Sequence, residues 1–226
     1  MNLSQTEENY LKAIYHLSNH GKISVSTNAI AERLDTKAAS VSDMIKKLAA
    51  KGLIQYVKYQ GVQIIETGIK EALKIVRKHR LWEVFLVEKL AFKWDEVHDI
   101  AEQLEHIASP TLIQRLDNFL GHPTHDPHGD PIPSVEGIMP KANTNLLIDL
   151  NINECATVVG VRDNSTSFLQ FLNKIEVCLG TEVCIQTNFD FDGSKEVMIN
   201  KKQEVILSKE VLQNIYIKPR TAEIKI

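Results

Sequence analysis

The sequence contains no long apolar run and none of the short motifs that mark common enzyme sites. No segment approaches the roughly 20 apolar residues that a membrane-spanning helix needs, so we expect no membrane partner. A phosphate-binding loop, a glycine-rich dinucleotide fingerprint, an HExxH motif and a GxSxG turn are all missing. These absences argue against an enzyme and against a small-molecule substrate.

Cysteine is scarce, and a leader sequence is not evident. Cys155, Cys178 and Cys184 form no CxxC pair and have no histidine at zinc-finger distance, so we expect them to be small buried apolar residues. The N-terminal stretch MNLSQTEENYLKAIYHL lacks the basic and apolar regions of a signal peptide. We therefore expect a cytoplasmic protein.

Charge is segregated along the chain, although the net charge is only −3. Residues 1–78 hold 12 Lys and Arg against 7 Asp and Glu, whereas residues 79–136 hold 4 against 11. The acidic segment also contains six of the eight histidines. The basic third suggests a polyanionic partner, and the acidic segment suggests a bound cation.

The stretch from His79 to His106 repeatedly places histidine and carboxylate side chains one helical turn apart. His79 and Glu83 are four residues apart and share a helix face. Lys and Arg are scarce nearby, so the carboxylates are expected to lack cationic partners. The alternative is a solvated polar face with ordinary ion pairs, but the density of donors favours a divalent-metal site. The second group of such residues is His98, Glu102, Glu105 and His106.

The first third of the chain predicts a helix-turn-helix followed by a hairpin. Ser4 and Glu7 form a capping-box pattern that predicts a helix over residues 4–18. A short helix over 27–34 and a second helix ending at Gly52 follow, with apolar residues spaced to form one small core. The hairpin turns around Gln60 and Gly61, as in the wing of a winged helix. The core residues are expected to be Ala31, Leu34, Val41, Ile45 and Leu48.

Hydroxyl and lysine side chains on this segment, together with its positive charge, favour DNA binding over a purely structural domain. Such side chains contact phosphates and base edges, although the DNA sequence that they read does not follow from their identity. The residues that we expect to contact DNA are Thr27, Lys37, Ala39, Ser40, Ser42, Lys46, Lys47, Lys58 and Tyr59.

Three further helices are predicted over 67–91, 94–108 and 110–120. The first is apolar on more than one face, which indicates either an interface with a second copy or an ordinary internal core. Residues 121–133 form a polar loop rich in Pro, Gly and His, in which Asp126 and His128 are further candidate ligands. From about Leu146 onward, short strands separated by turns predict a small β domain, a partly open barrel.

These residues resemble the diphtheria-toxin-repressor family of metal-dependent transcriptional repressors over nearly the whole chain. The likeness lies in YLKAIYHL, RKHRLWEVFL, VHDIAEQLEH and DPHGDPIP, and in the ordered histidines and carboxylates. It implies a mainly α protein with a small β domain: a winged helix-turn-helix over 1–67, a helical metal-binding and dimerisation domain over 68–136, a linker over 137–145 and an SH3-like domain over 146–226. It also implies a cytoplasmic homodimer that binds a palindromic DNA operator and represses metal-uptake genes.

The resemblance also implies two metal sites for Mn²⁺ or Fe²⁺. Glu102, Glu105 and His106 match the primary site, and Glu102 in place of Cys matches the manganese branch, in agreement with the preference of Mn²⁺ for hard oxygen donors. The ligand from the first helix falls on Asn9, where the family has Asp or Met, so the metal affinity is expected to be lower unless Glu7 or Glu8 takes its place. Lys12 replaces a carboxylate of one manganese branch, which argues against a ligand from that position. The residues that match second-site positions are His79, Glu83, His98, Asp126, His128 and Asp163.

The resemblance implies a gate in which the metal fixes the first helix against the dimerisation helices. Without metal, the acidic groups are expected to repel one another, and acid is expected to weaken metal binding by protonating histidine. Two other functions stay open at this point: a metalloenzyme that uses the acidic cluster, and a metal-independent DNA-binding regulator. The Glu-x-x-His repeats of carboxylate-bridged oxidases are missing here, which disfavours the enzyme.

Overall fold

The computed structural model describes residues 3–57, 60–141 and 145–219. The chain divides into two compact units. The first comprises Met1–Trp82, Ala101–His122 and Ile132–Pro140, and the second comprises Glu83–Ile100, Pro123–Pro131 and Lys141–Ile226. In the described part of the chain, no helix is long and apolar enough to cross a membrane.

The first unit begins with the predicted winged helix-turn-helix. Ser4 caps α1 (Gln5–Leu17) with the full capping box, since its side chain accepts from the Glu7 backbone and Glu7 accepts from the Ser4 backbone. Ser26 caps α2 through the Ala29 backbone N–H. The elements that follow α1 are α2 (Thr27–Arg33), α3 (Ala38–Ala50), β1 (Ile54–Val57) and β2 (Gly61–Ile64).

The hairpin packs on the helices as the sequence predicts. β1 pairs antiparallel with β2, and Val62 also bridges to Val25 ahead of α2. Gly61 has a φ of +98°, and a Cβ atom there would lie 2.3 Å from the Val25 carbonyl oxygen, so only glycine allows this approach. The expected small core is confirmed, because Val41, Ile45 and Leu48 are buried and Ala31 and Leu34 pack against them.

Three helices follow the hairpin: α4 (Glu66–Leu90), α5 (His98–Leu104) and α6 (Pro110–Phe119). The prediction of a helix over 94–108 is wrong at both ends. Residues 94–97 form a turn and a bend, and Trp94 is buried in the hydrophobic core of the second unit, so tertiary packing overrides helical periodicity there. Most apolar residues of α4 are buried by the chain itself, whereas Leu90 is 53% exposed.

The second unit contains a five-stranded antiparallel sheet in the order β6-β5-β4-β3-β7. Two short helices and a 3₁₀ turn over Leu147–Asp149 cover a continuous apolar core. This confirms the predicted small β domain. The elements are β3 (Cys155–Val161), α7 (Thr166–Lys174), β4 (Glu182–Asn188), β5 (Lys195–Ile199), β6 (Gln203–Leu207), α8 (Lys209–Leu212) and β7 (Ile215–Pro219).

The expectation for the cysteines is wrong. Cys155 and Cys184 form a disulfide between β3 and β4, and Cys178 is exposed. The register of the two strands places Cys155 directly opposite Cys184. The two cysteines are 29 positions apart in the sequence, so no short cysteine motif predicts this disulfide.

Candidate metal centre

A cluster of charged side chains in the first unit joins α1 to α4 and α5. Helix α1 carries Glu8, Asn9 and Lys12, and Lys12 lies four residues after Glu8 and three after Asn9, so its side chain neighbours both on the helix surface. The C-terminal end of α5 and the residues after it carry Glu102, Glu105 and His106. His79 joins them from α4.

Lys12 lies at the centre of this first cluster. Its Nζ donates to Glu102 Oε1 at 2.6 Å and to both carboxylate oxygens of Glu105, at 2.6 and 2.8 Å. The Glu105 side chain is fully buried, and that of Lys12 is 13% exposed. The expectation that these carboxylates lack a cationic partner and repel one another is therefore wrong, because the cation comes from a helix about 90 residues earlier in the chain.

His79 also contacts the same buried carboxylate. Its Nδ1 lies 2.7 Å from Glu105 Oε2 and 3.8 Å from Glu102 Oε1. These three residues can each offer one ligand atom within a sphere small enough for a metal ion, since the atoms all lie within 4.8 Å of one another. The structure thus brings His79 to the residues expected for the primary site.

Glu8 and His106 form the neighbouring part of the first cluster. His106 Nδ1 lies 2.6 Å from Glu8 Oε2, and Lys78 Nζ donates to Glu8 Oε1 at 3.1 Å. The other ring nitrogen of His106, Nε2, lies 3.8 Å from Glu105 Oε1. Glu8, Lys78 and His106 also line a cavity of about 680 Å³, which gives an ion a route to this edge of the cluster.

Asn9 carries an orphaned polar atom. Its side-chain Oδ1 is buried and has no hydrogen-bond partner among the described residues. A buried carbonyl-type oxygen without a hydrogen bond costs free energy, so its presence needs a physical explanation. An amide oxygen is a hard ligand, so this atom together with carboxylates and imidazoles suits Mn²⁺ or Fe²⁺. The donor set therefore fits a divalent ion.

A second cluster lies within the second unit. Glu83 at the C-terminal part of α4 meets Asp126 and His128 of the polar loop, with ligand atoms within 4.8 Å of one another. All three residues are buried, between 2% and 4% exposed. His98 Nδ1 lies 3.7 Å and His128 Nδ1 lies 3.8 Å from the same Glu83 oxygen.

The tautomer of His128 is fixed by its surroundings. His128 Nε2 lies 2.8 Å from the Trp94 carbonyl oxygen, which can only accept, so Nε2 carries the proton. In the neutral imidazole, Nδ1 then carries the lone pair that a metal ion needs. A backbone carbonyl that orients an imidazole in this way is the usual support for a metal-ligating histidine.

Three further candidate residues have contacts of their own. His79 belongs to the first unit and its Nδ1 faces Glu105. Asp163 follows β3, and its Oδ1 accepts a hydrogen bond from the Ser165 backbone at the start of α7. Glu7, which could have replaced Asn9, is held by Lys51 Nζ at 2.7 Å instead.

The predicted DNA-contacting residues lie on and beside α3. Thr27 opens α2 and is partly buried, and Lys37 is the N-cap residue of α3. Lys58 and Tyr59 fall outside the described residues. The predicted residues within α3, which are Ala39, Ser40, Ser42, Lys46 and Lys47, are all exposed.

The sequence patterns predict neither Lys12 nor Lys78 as a member of the first cluster. Glu8 entered only as a substitute for Asn9. The one available signal was spacing, because Glu8, Asn9 and Lys12 share a face of a confidently predicted helix. Nothing local indicates that this face meets α5.

Comparison with known proteins identifies three family models along the chain. Residues 2–62 match the iron dependent repressor N-terminal DNA binding domain, and residues 65–134 match the iron dependent repressor metal binding and dimerisation domain. Residues 146–219 match the FeoA domain.

Individual relatives agree with these matches. The iron-dependent repressor IdeR of Mycobacterium tuberculosis is 36% identical over 133 residues, which are 59% of this chain and 57% of that repressor. The diphtheria toxin repressor of Corynebacterium diphtheriae is 33% identical over 134 residues, 59% of each chain. The matched part thus spans less than two thirds of the length of these relatives.

A solved structure extends the likeness to nearly the whole chain. It is described as a manganese-dependent transcriptional repressor in complex with manganese. This chain is 35% identical to it with a TM-score of 0.82, over 95% of this chain and 100% of that one.

Proposed function

Since the chain belongs to the diphtheria-toxin-repressor family of metal-dependent transcriptional repressors, we propose that it is a Mn²⁺-gated repressor of metal-uptake genes. Fe²⁺ is the alternative ion. We propose that it works in the cytoplasm as a homodimer on a palindromic operator. Two of the three matched family models are domains of an iron dependent repressor, and the listed relatives are repressors rather than enzymes.

One observation carries the proposal: the first cluster is built from two functional segments. Glu8, Asn9 and Lys12 belong to the segment that matches the DNA-binding domain, whereas His79, Glu102, Glu105 and His106 belong to the segment that matches the metal-binding and dimerisation domain. Whatever cation holds these side chains together also fixes α1 against α4 and α5. The orientation of α3 relative to a dimer partner then depends on that cation.

Each residue of the proposed primary site would have its own role in binding the ion. Glu102, Glu105 and His106 supply two carboxylates and an imidazole, Asn9 adds its unpaired oxygen, and His79 stands beside Glu105. A bound divalent ion would supply two positive charges at one point. Glu8 orients His106 through Nδ1 and leaves Nε2 free to face Glu105.

The donor set favours Mn²⁺ over softer ions. Every proposed ligand of the first cluster offers oxygen or imidazole nitrogen, and a thiolate is absent among its described members. The relative in complex with manganese supports the same choice.

We propose a second, structural ion at Glu83, Asp126 and His128, with His98 and Asp163 as further candidates. The support is the burial of three ionisable groups together with the fixed tautomer of His128. We further propose the domain boundaries 1–67, 68–136 and 146–226, with a linker over 137–145.

The proposed DNA surface is the exposed side of α3. The polar and cationic side chains of Ser40, Ser42, Lys46 and Lys47 all lie there, as phosphate and base contacts require. A homodimer would present two such helices to successive major grooves, which is the reason to expect a palindrome.

The test begins with the metal-loaded protein and a random DNA library. Fragments enriched by the protein with Mn²⁺ are then titrated by fluorescence anisotropy with Mn²⁺ and with chelator. We expect affinity to fall at least about tenfold with chelator. Equal affinity in both conditions would indicate a metal-independent regulator, and failure to enrich any DNA would reopen the metalloenzyme alternative.

A further inference from the structure

We propose that Lys12 is a built-in competitor for the metal: its ammonium group occupies the cation position between Glu102 and Glu105 until a divalent ion displaces it. The inference rests on the proposed function and assigns this chain's own residue a role in setting its metal threshold.

The geometry is that of a cation held at a ligand centre. Lys12 Nζ is within 2.8 Å of three carboxylate oxygens from two residues. An ordinary surface pair shares one or two oxygens in water, as Lys46 and Asp43 do at 3.1 Å, with both side chains more than 70% exposed. Glu105, by contrast, is completely buried, so its charge requires a partner at all times.

Lys12 and a divalent ion cannot share these oxygens. A Mn²⁺ ion bound at ordinary oxygen-ligand distances to Glu102 and Glu105 would lie within the volume that the ammonium fills, and both are cations. The four-carbon stem of lysine is flexible, so the ammonium can swing out to solvent while Glu102 and Glu105 stay in place.

This exchange has two consequences for the gate. In the absence of metal, the Lys12 pair keeps the buried Glu105 carboxylate from being left without a cation. In the presence of metal, the gain from the ion is reduced by the loss of the lysine pair, so the apparent affinity is lower than the ligand set alone would give. The neutral residue at position 9 acts in the same direction.

The first measurement is chemical labelling of the wild-type chain, which does not depend on any variant. Lysines are acetylated with an N-hydroxysuccinimide ester, with and without Mn²⁺, and each site is quantified by mass spectrometry. We expect labelling of Lys12 to rise several-fold with Mn²⁺, while that of Lys70, an exposed partner of Glu66, stays constant. Unchanged labelling of Lys12 under conditions where calorimetry shows Mn²⁺ bound would overturn the role of Lys12 and leave the proposed function standing.

The second measurement compares variants by calorimetry with Mn²⁺ alone. Lys12→Met removes the charge and keeps the length, so it should lose thermal stability without metal and bind Mn²⁺ about tenfold more tightly. Lys12→Arg keeps a cation with a carboxylate-matching fork and should bind Mn²⁺ more weakly than the wild type. Lys70→Met is the matched control and should change neither property.

The pattern of outcomes separates the two ideas. If Lys12→Met and Lys12→Arg shift Mn²⁺ affinity in the same direction, space rather than charge matters and the competitor role is wrong. If neither the wild type nor Lys12→Met binds Mn²⁺, the proposed function fails and the role of Lys12 fails with it.

From a different observation we infer that Cys155 and Cys184 are a reversible redox pair. The two residues face each other across β3 and β4 with Cα atoms 4.1 Å apart. The neighbouring Ile185 N–H donates to the Glu154 carbonyl, so the cysteine pair occupies the narrow, non-hydrogen-bonded position of the ladder, where side chains are closest. Reduced thiols held there remain adjacent and can pair again.

The cysteine pair lies where its oxidation can affect both the β3–β4 ladder and the loop at the other end of β3. The β3–β4 ladder joins only Cys155–Thr157 to Glu182–Cys184, the shortest of the ladders described in this sheet. At the other end of β3, the Val161 N–H donates to the His128 carbonyl at 2.8 Å. One strand therefore connects the thiol pair to the loop that carries the second cluster.

The chemistry needs a small-molecule disulfide such as oxidised glutathione. One cysteine thiolate attacks it to form a mixed disulfide and releases one reduced thiol. The second cysteine thiolate then attacks the protein-side sulfur, which forms the Cys155–Cys184 bond and releases the second thiol. Both electrons pass to glutathione, and the two cysteine protons end on the released thiols.

Thiol counting across a glutathione redox series tests this inference. Alkylation and mass spectrometry should find one reactive thiol, Cys178, under oxidising conditions and three under reducing conditions, with the change reversible. Cys155→Ser should abolish the change, whereas Cys178→Ser, the matched control, should keep it. Three reactive thiols at every ratio, or a bond that involves Cys178, would overturn the pair.

Discussion

Lys12 donates from Nζ to both carboxylate oxygens of Glu105, a residue 93 positions later in the chain and fully buried. This contact ties α1, in the segment that matches a DNA-binding domain, to α5, in the segment that matches a metal-binding domain.

Replacing Glu102 with alanine should abolish Mn²⁺-dependent DNA binding while the dimer stays intact. Glu102 is the more exposed of the two carboxylates, so its loss removes a ligand without leaving a buried charge, and Lys12 keeps Glu105 paired. We expect the affinity for Mn²⁺ to fall about 100-fold by calorimetry. Glu66→Ala, at an exposed carboxylate of α4, is the control. If Glu102→Ala still showed metal-stimulated DNA binding, the assignment of Glu102 to the metal site would be wrong.

Replacing Asn9 with aspartate should tighten Mn²⁺ binding by about tenfold, because a charged oxygen would take the position of the unpaired Oδ1. Asn9→Ala should weaken binding instead. Both affinities can be measured by calorimetry without DNA. An affinity that is the same in the wild type and in both variants would remove Asn9 from the ligands.

Glu7 should contribute to the acid stability of the first unit. The hydrogen bond from Lys51, followed by that from the Ser4 backbone, lowers the pKa of Glu7 below its ordinary value of 4.5. A carboxylate with a lowered pKa stabilises the fold above its unfolded pKa, and this stabilisation is lost as the pH falls through the folded pKa.

Glu7→Gln should therefore lower the free energy of unfolding at pH 7 by about 1 kcal/mol, and this deficit should shrink as the pH falls below the ordinary carboxyl pKa and through the lowered one. Urea unfolding of both proteins at pH 7 and pH 3.5 measures it. Glu32→Gln, at an exposed position of α2, is the control. A deficit of equal size at both pH values would contradict the assignment to ionised Glu7.

Lys47→Ala should weaken DNA binding across all sequences and reduce the slope of log affinity against log salt by about 1, as expected for one phosphate contact. Anisotropy titrations at several salt concentrations give the slope. The control is Lys174→Ala, an exposed lysine of the second unit. If the two variants behave alike, Lys47 does not face DNA.

Local sequence determined much of the first unit because the responsible interactions span a few residues. Ser4 and Glu7 define the start of α1, and the spacing of Val41, Ile45 and Leu48 gives α3 its buried face. The positions of Glu102, Glu105 and His106 follow from one short stretch, so their grouping needs no tertiary information. Helical periodicity gives a wrong prediction at Trp94, because burial of this side chain in the core of the second unit outweighs the helical pattern.

The sequence by itself determined which side chains could bind a metal and which helix could enter DNA, since both follow from residue type and helical spacing. Tertiary structure alone decided what those side chains contact. It brought Lys12 to the carboxylates, turned His79 toward Glu105 and aligned Cys155 with Cys184. These outcomes depend on contacts between residues 26 to 93 positions apart, and such contacts form only when whole elements pack or pair, which no local pattern encodes.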